Sequence, residues 1–262
     1  MAESIEVISR LPPVPTGRPP LLFVHGAGHA AWSWDEHWLA ACAARGYAAH
    51  ALSLRGHGAS PAPRGLQWCT LADYEHDVRA VARGLGEPCV LVGHSMGGTV
   101  VQRCLGTLPV RAAVLVASAG THGVGEVVPS LFATLPVRGP MDLLRLATPG
   151  GVPFDVARRW LFSDALPDDL ASRYLGRMSF ESVAAMAELF VPWAVARPAN
   201  TPVLVLAGAD DPLTPPALAE RAAAFYGTRA TVIAGVSHEM MLDARWEAAL
   251  GAMLDWLDGS VR

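Results

Sequence analysis

Short, mostly apolar runs recur along the chain, and most stop at a glycine-containing turn: residues 21–24, 47–54, 89–92, 112–117, 203–206 and 230–234. Runs of this length without a polar alternation predict strands covered on both faces, as in a parallel sheet. Between them the apolar positions change to helical spacing. Leu71, Tyr74, Val78, Val81 and Leu85 mark one face of a helix that Thr70 and Asp73, at capping-box spacing, should start and Gly86 should end. Helices are predicted likewise over residues 32–45, 96–108, 216–226 and 242–257, and a further strand near residues 5–8 precedes the proline-rich stretch 11–20.

Strands alternating with helices define an α/β protein with a mostly parallel, doubly wound sheet. One stretch breaks the rhythm. Residues 120–200 hold no strand-like run and read as helices punctuated by proline and glycine, such as 154–162 and 168–178. A structureless loop of that length is improbable inside a compact domain, so a helical cap over one sheet edge is expected. The division is then a core of residues 1–119 and 201–262 with a cap of residues 120–200 inserted between two core strands.

Composition narrows the function. Of the 262 residues, 52% are hydrophobic and 17% charged, which excludes a disordered chain and leaves room for one large core. No apolar run approaches the roughly 18 residues of a membrane span. A net charge of -4 supplies no basic surface for nucleic acid. All 20 basic residues are arginine; without a lysine there is no Schiff base to a carbonyl or pyridoxal phosphate and no P-loop lysine. Cys42, Cys69, Cys89 and Cys104 form no C-x-x-C pair and are expected as reduced thiols. The first residues, Met1-Ala2-Glu3-Ser4, lack the basic and apolar regions of a signal peptide, so a cytoplasmic protein is expected.

The chemistry gathers at strand ends. Gly93-His94-Ser95-Met96-Gly97 is a G-x-S-x-G between a predicted strand and a predicted helix, the context in which a serine is thrust out on a strained turn. The helix that follows aims its free amides at the same point, which suits an oxyanion. A serine nucleophile needs a base, and His238 stands after the last strand, on the loop edge where α/β proteins place their sites. The turn after the preceding strand offers two acids to orient it, Asp210 and Asp211. His29, His37, His50 and His76 lack metal-ligand spacing, and no metal is expected. His25 and His94 are expected to be hydrogen-bonded beside tight turns, and His57 to stabilise its own loop.

These segments, in this order, resemble the α/β-hydrolase fold family over nearly the full chain. The matching motifs are Val24-His25-Gly26-Ala27-Gly28, Arg55-Gly56-His57-Gly58-Ala59-Ser60, the turn at Ser95, the loop from Gly208 to Pro215, and Gly235-Val236-Ser237-His238. The resemblance implies the order nucleophile, acid, base. It selects Asp211, four residues before Pro215, over Asp210, and makes the backbone amides of Ala27 and Met96 the oxyanion donors that contact substrate. Residues 25–34 resemble the branch containing plant methyl esterases and hydroxynitrile lyases, but lyase chemistry there uses a cap lysine, which this chain lacks. Epoxide hydrolases and haloalkane dehalogenases carry Asp at the turn, where this chain has Ser95.

The resemblance therefore implies a cofactor-independent serine esterase with a Ser95–His238–Asp211 triad and an apolar ester or acyl substrate. Apolar cap residues, Leu131, Phe132, Leu143, Trp160, Phe180 and Trp193 among them, are candidates for its pocket. Thioester, lactone or carbon–carbon hydrolysis, perhydrolase activity, and a slow-turnover ligand-binding receptor remain open, as does oligomeric state.

Overall fold

The computed structural model describes residues 4–118, 152–191, 197–198 and 200–261. Among these described residues seven strands form one sheet: β1 (Val7–Arg10), β2 (Leu21–Val24), β3 (Ala49–Leu52), β4 (Val90–His94), β5 (Ala112–Val116), β6 (Val203–Gly208) and β7 (Ala230–Ile233), in the spatial order β1-β3-β2-β4-β5-β6-β7. All pairings are parallel except β1 with β3. The antiparallel β1 closes one edge.

The predicted two-sided burial is visible residue by residue in β2, β4, β5 and β6, whereas β7, at the sheet edge, is only partly buried and leaves Val232 exposed. Leu21 and Phe23 of β2 enter one apolar cluster while Leu22 and Val24 enter another, and Val114 and Leu115 of β5 divide in the same way. Successive side chains of a strand point to opposite faces, so a run with no polar residue needs cover on both. Helices α1 (Trp32–Asp35), α2 (Trp38–Ala44) and α9 (Trp246–Ser260) cover the first face; α3 (Leu71–Gly84), α4 (Met96–Cys104) and α8 (Pro216–Tyr226) cover the second. Trp34 and Trp38 are fully buried against Phe23, as packing residues. The capping box at Thr70 and Asp73 is formed.

Two helices differ from the pattern-based reading. Residues 32–45 make two helices because the chain breaks at His37, whose ring stacks flat on Trp246 at 4.6 Å. The last helix begins at Trp246, not at 242, because the buried Asp243 carboxylate holds the N–H groups of Ser163, Ser237 and Ala244. A short acceptor side chain that captures local amides competes with helix.

Between β5 and β6 lie α5 (Phe154–Leu161), α6 (Asp168–Leu175) and α7 (Val183–Leu189). Phe162, Leu166 and Tyr174 join the first apolar cluster and Ala185 and Leu189 the second, so this segment packs onto the core from both sides of the sheet. The four cysteines are free and buried, and burial pushes the thiols of Cys42, Cys89 and Cys104 up to about 12. Among the described residues no helix is long and apolar enough to cross a membrane.

Candidate active site

Strand β4 runs into α4 through Ser95, which has φ 50° and ψ -118°. Apart from glycines, the described residues with positive φ are Ser95 and Ala117, at the carboxyl ends of the neighbouring strands β4 and β5. Such a conformation costs on the order of 1–3 kcal/mol and persists only where the surroundings enforce it. Ser95 N–H donates to Val116 O at 3.0 Å, and Ser95 O accepts from Gly98 and Thr99 as α4 begins. The turn is thus fixed by β5 on one side and by the helix on the other, and the serine remains partly exposed.

The glycines around it are required by contact. A Cβ on Gly97 would strike the main-chain oxygens of Val24 and His25, and one on Gly93 would strike the backbone of Gly97 and Gly98. Because backbone cannot swing aside as a side chain can, Gly97→Ala should cost about 3 kcal/mol, read as a lowered urea midpoint. An unchanged midpoint would mean that β2 and α4 separate freely there.

Asp211 and His238 meet across two loops. His238 Nδ1 lies 2.9 Å from Asp211 Oδ2, and both side chains are buried. The same carboxylate accepts the N–H groups of Leu213 and Thr214 on Oδ1, at 2.8 and 2.9 Å, and the Thr214 hydroxyl on Oδ2 at 2.5 Å. These bonds fix its orientation before His238 is considered. Burial disfavours the Asp211 charge, but His238 and Thr214 outweigh it and hold the carboxyl below its usual range. Burial likewise opposes a charged His238; Asp211, with a smaller contribution from Glu239, outweighs it and raises the imidazole above its ordinary value. Asp210, by contrast, is exposed and enters the loop only through its backbone, including a carbonyl that accepts from the Ser237 hydroxyl.

The serine turn and the histidine loop are joined by His94. Its ring lies 4.9 Å from that of His238, and its Nε2–H donates to His238 O at 3.0 Å. Burial first, then the neighbouring His238, holds His94 neutral, well below the usual imidazole range.

The loop after β2 packs on the same turn. A Cβ on Gly26 would come within 3.1 Å of the Ser95 Cβ. His25 Nε2 accepts the Leu54 N–H at 2.9 Å, which leaves Nδ1 as the donor to Gly26 O at 2.8 Å. Burial, then the neighbouring His57, pushes the His25 imidazole down to about 3. His29 donates through Nδ1 to Ala27 O at 2.9 Å while its Nε2 lies 3.4 Å from Glu239. The carbonyls of this loop are tied back, whereas the N–H groups of Ala27 and Met96 donate to no acceptor among the described residues.

His94, His238 and Glu239 are also a group of ligand-type side chains, with one atom each within 4.8 Å of the others. Of their atoms, His94 Nε2 binds His238 O and His238 Nδ1 binds Asp211, whereas His94 Nδ1 and Glu239 Oε2 are buried without a hydrogen bond among the described residues, Glu239 Oε2 lying 3.4 Å from His29 Nε2.

Thr214, Glu239 and Glu181, which binds His57, are part of this network without having been read from the sequence. Thr214, three residues after Asp211, is the one with a local signal, since an aspartate caps backbone two and three residues on. His57 bonds its own loop at Arg55 O, as expected, and also lies 3.1 Å from Glu181. Of the apolar pocket candidates, Phe180 is exposed and Trp160 partly buried; Leu131, Phe132, Leu143 and Trp193 lie outside the described residues.

A mostly parallel sheet that carries a serine on the strand-to-helix turn after β4, with an aspartate after β6 and a histidine after β7, defines a class of α/β protein. The chain belongs to the alpha/beta hydrolase family, whose model matches residues 21–250. It is 39% identical over 109 residues to a probable esterase, PIR7A, of Oryza sativa subsp. indica, a match covering 38% of this chain and 41% of that protein. It is 42% identical over 103 residues to esterase PIR7B of Oryza sativa subsp. japonica, covering 37% and 38%. The chain thus matches about two-fifths of the length of these rice relatives. Among solved structures, an esterase from Thermogutta terrifontis superposes with a TM-score of 0.72 at 20% identity, over 98% of this chain and 95% of that one. Esterase RhEst1 from Rhodococcus sp. ECU1013 gives 0.67 at 24% identity, over 98% and 96%. These structures share the fold.

Proposed function

We propose that the protein is a serine esterase acting through Ser95, His238 and Asp211. The observation that carries this reading is the 2.9 Å pairing of His238 Nδ1 with the buried Asp211 carboxylate. With Nδ1–H committed there, the lone pair on Nε2 is left to take a proton. The rice relatives named as esterases supply the reaction class.

Ser95 Oγ attacks the ester carbonyl carbon while His238 Nε2 takes its proton. The carbonyl oxygen becomes an oxyanion held by the N–H groups of Ala27 and Met96, each worth about 100- to 1000-fold in rate. His238 returns the proton to the leaving alkoxide as the acyl-enzyme forms. Water, deprotonated by His238, then releases the carboxylic acid and restores Ser95. No step calls on a cofactor. Residues 120–200 act as the cap, where acyl selectivity would reside, and an apolar ester is the substrate expected.

The test is turnover of a p-nitrophenyl ester series from acetate to decanoate, together with a fluorophosphonate probe whose adduct is mapped by mass spectrometry. Ester turnover with the adduct on Ser95 is expected. Labelling of Ser95 without ester turnover would move the thioester, lactone and carbon–carbon readings ahead, and no labelling would favour a binding protein.

The pH profile follows from the same geometry. His238 must be neutral to accept a proton, and Asp211 raises its titration above the ordinary 6.5. The acid limb of kcat/KM should therefore lie above that value, with the rate falling about tenfold per unit below it. A flat rate between about pH 5 and 8 would remove His238 as the base.

A further inference from the structure

The segment between α6 and α7 grips the loop after β2 at a single residue. Ser179 N–H donates to Gly28 O at 2.8 Å, and Gly28 N–H donates to Glu181 Oε2 at 3.1 Å. The fit is close: Gly28 has φ +71°, and a Cβ there would lie 2.9 Å from Ser179 O. The Glu181 side chain is 9% exposed. Its Oε1 accepts the Tyr74 hydroxyl at 2.6 Å and the Ser182 N–H at 2.7 Å, while Oε2 also lies 3.1 Å from His57 Nε2.

The charge state of this group follows from its partners. His57 Nδ1 donates to Arg55 O at 3.2 Å, and Nε2 lies 3.1 Å from the carboxylate outside hydrogen-bonding geometry, a spacing that favours a charged ring opposite Glu181. A carboxylate withdrawn from water requires a counter-charge and hydrogen bonds, and here it has both. Burial opposes the His57 charge and Glu181 outweighs it, raising that imidazole; burial opposes the Glu181 charge and His57 outweighs it, lowering that carboxyl.

Glu181 thus holds the peptide next to Ala27. His25 and His29 tie the carbonyls of Gly26 and Ala27 from the core side, which leaves the Gly28 amide as the point where the helical insertion fixes the loop. We propose that Glu181 is a positioning residue, a part of the insertion that sets the Ala27 amide in the oxyanion site through Gly28. This rests on the reading of Ala27 as an oxyanion donor. Misplacing a reacting group by about 1 Å can cost on the order of 100-fold in rate, so small loop shifts matter.

The test compares Glu181→Gln with Tyr74→Phe in the full-length protein. An amide in place of the carboxylate faces either Gly28 N–H or Ser182 N–H with a donor, and it leaves His57 without its counter-charge. Tyr74→Phe removes one donor from Oε1 and does not touch the bond to Gly28. For Glu181→Gln, kcat on p-nitrophenyl esters should fall about 10- to 100-fold with KM within about twofold. An alkyl trifluoromethyl ketone reads the oxyanion site directly. Ser95 Oγ adds to its carbonyl carbon, the serine proton passes to His238, and the ketone oxygen becomes an oxyanion on the amides. Its affinity should fall by the same factor, while that of the corresponding carbinol, which forms no oxyanion, stays unchanged. Tyr74→Phe should melt earlier yet keep kcat within about twofold. Equal weakening of ketone and carbinol, or an unchanged kcat in Glu181→Gln, would overturn the proposal while the esterase reading stands. A parent protein inert to both esters and ketone would overturn the esterase reading and this proposal with it.

Discussion

Replacing Ser95 with alanine should lower kcat on p-nitrophenyl esters by about 10^4- to 10^6-fold, with KM little changed. The alanine cannot form the acyl-enzyme, and His238 is left with no proton to take from that position. What remains is attack by water beside the Ala27 and Met96 amides, which accounts for the residual rate rather than complete silence. Stability separates this effect from unfolding. Ser95 sits at φ 50°, and alanine carries a Cβ just as serine does, so it inherits the same backbone cost and should unfold at nearly the parent urea concentration. Ser95→Gly should be equally inactive yet more stable, by about 1 kcal/mol or more, because glycine adopts positive φ without that cost. An inactive variant that gains stability identifies a position strained for function. Turnover retained in Ser95→Ala would transfer the nucleophile's role elsewhere and remove the acyl-enzyme from the mechanism.

The strained serine was legible in the sequence because its determinants are local. Gly93 and Gly97 flank it, an apolar run precedes it, and helical spacing follows, all within a short segment. The strands were legible for a similar reason: burial on two faces leaves runs such as Leu-Leu-Phe-Val at residues 21–24 with no polar member. Resemblance alone separates Asp211 from Asp210 in the sequence; in the fold Asp211 turns inward to Thr214 and His238 while Asp210 faces solvent. Other features could not be read. Glu181 meets Gly28 across 153 positions, and Asp243 meets Ser163 across 80. Nothing near either acid marks it as more than one charged residue among many. The break at His37 is equally invisible; its ring stacks on Trp246 of the last helix, a contact that no local pattern announces. Periodicity reports which face is covered; it does not report which distant residue does the covering.

The second large effect concerns the orienting acid. Asp211→Asn should lower kcat by about 10^4-fold while leaving the fold intact. The side chains are isosteric, and the Leu213 and Thr214 N–H groups both bind Oδ1, so the amide oxygen will occupy that place. The amide nitrogen is then directed at the Thr214 hydroxyl and at His238 Nδ1. The hydroxyl can rotate to accept from it. The imidazole can accept only by placing its own proton on Nε2, which is the tautomer that cannot receive the serine proton. The chemical step therefore fails through the choice of tautomer with every heavy atom in position, and the urea midpoint should stay close to the parent value. The acid limb of the residual activity should move to lower pH, because the negative charge that outweighs burial at His238 has gone. Asp210→Asn, made in parallel, should leave kcat within about twofold, since that side chain is exposed and surface substitutions of this kind are typically near neutral. If the two variants exchanged behaviour, the acid assignment would reverse, and the 2.9 Å contact between Asp211 and His238 would have to be structural rather than catalytic.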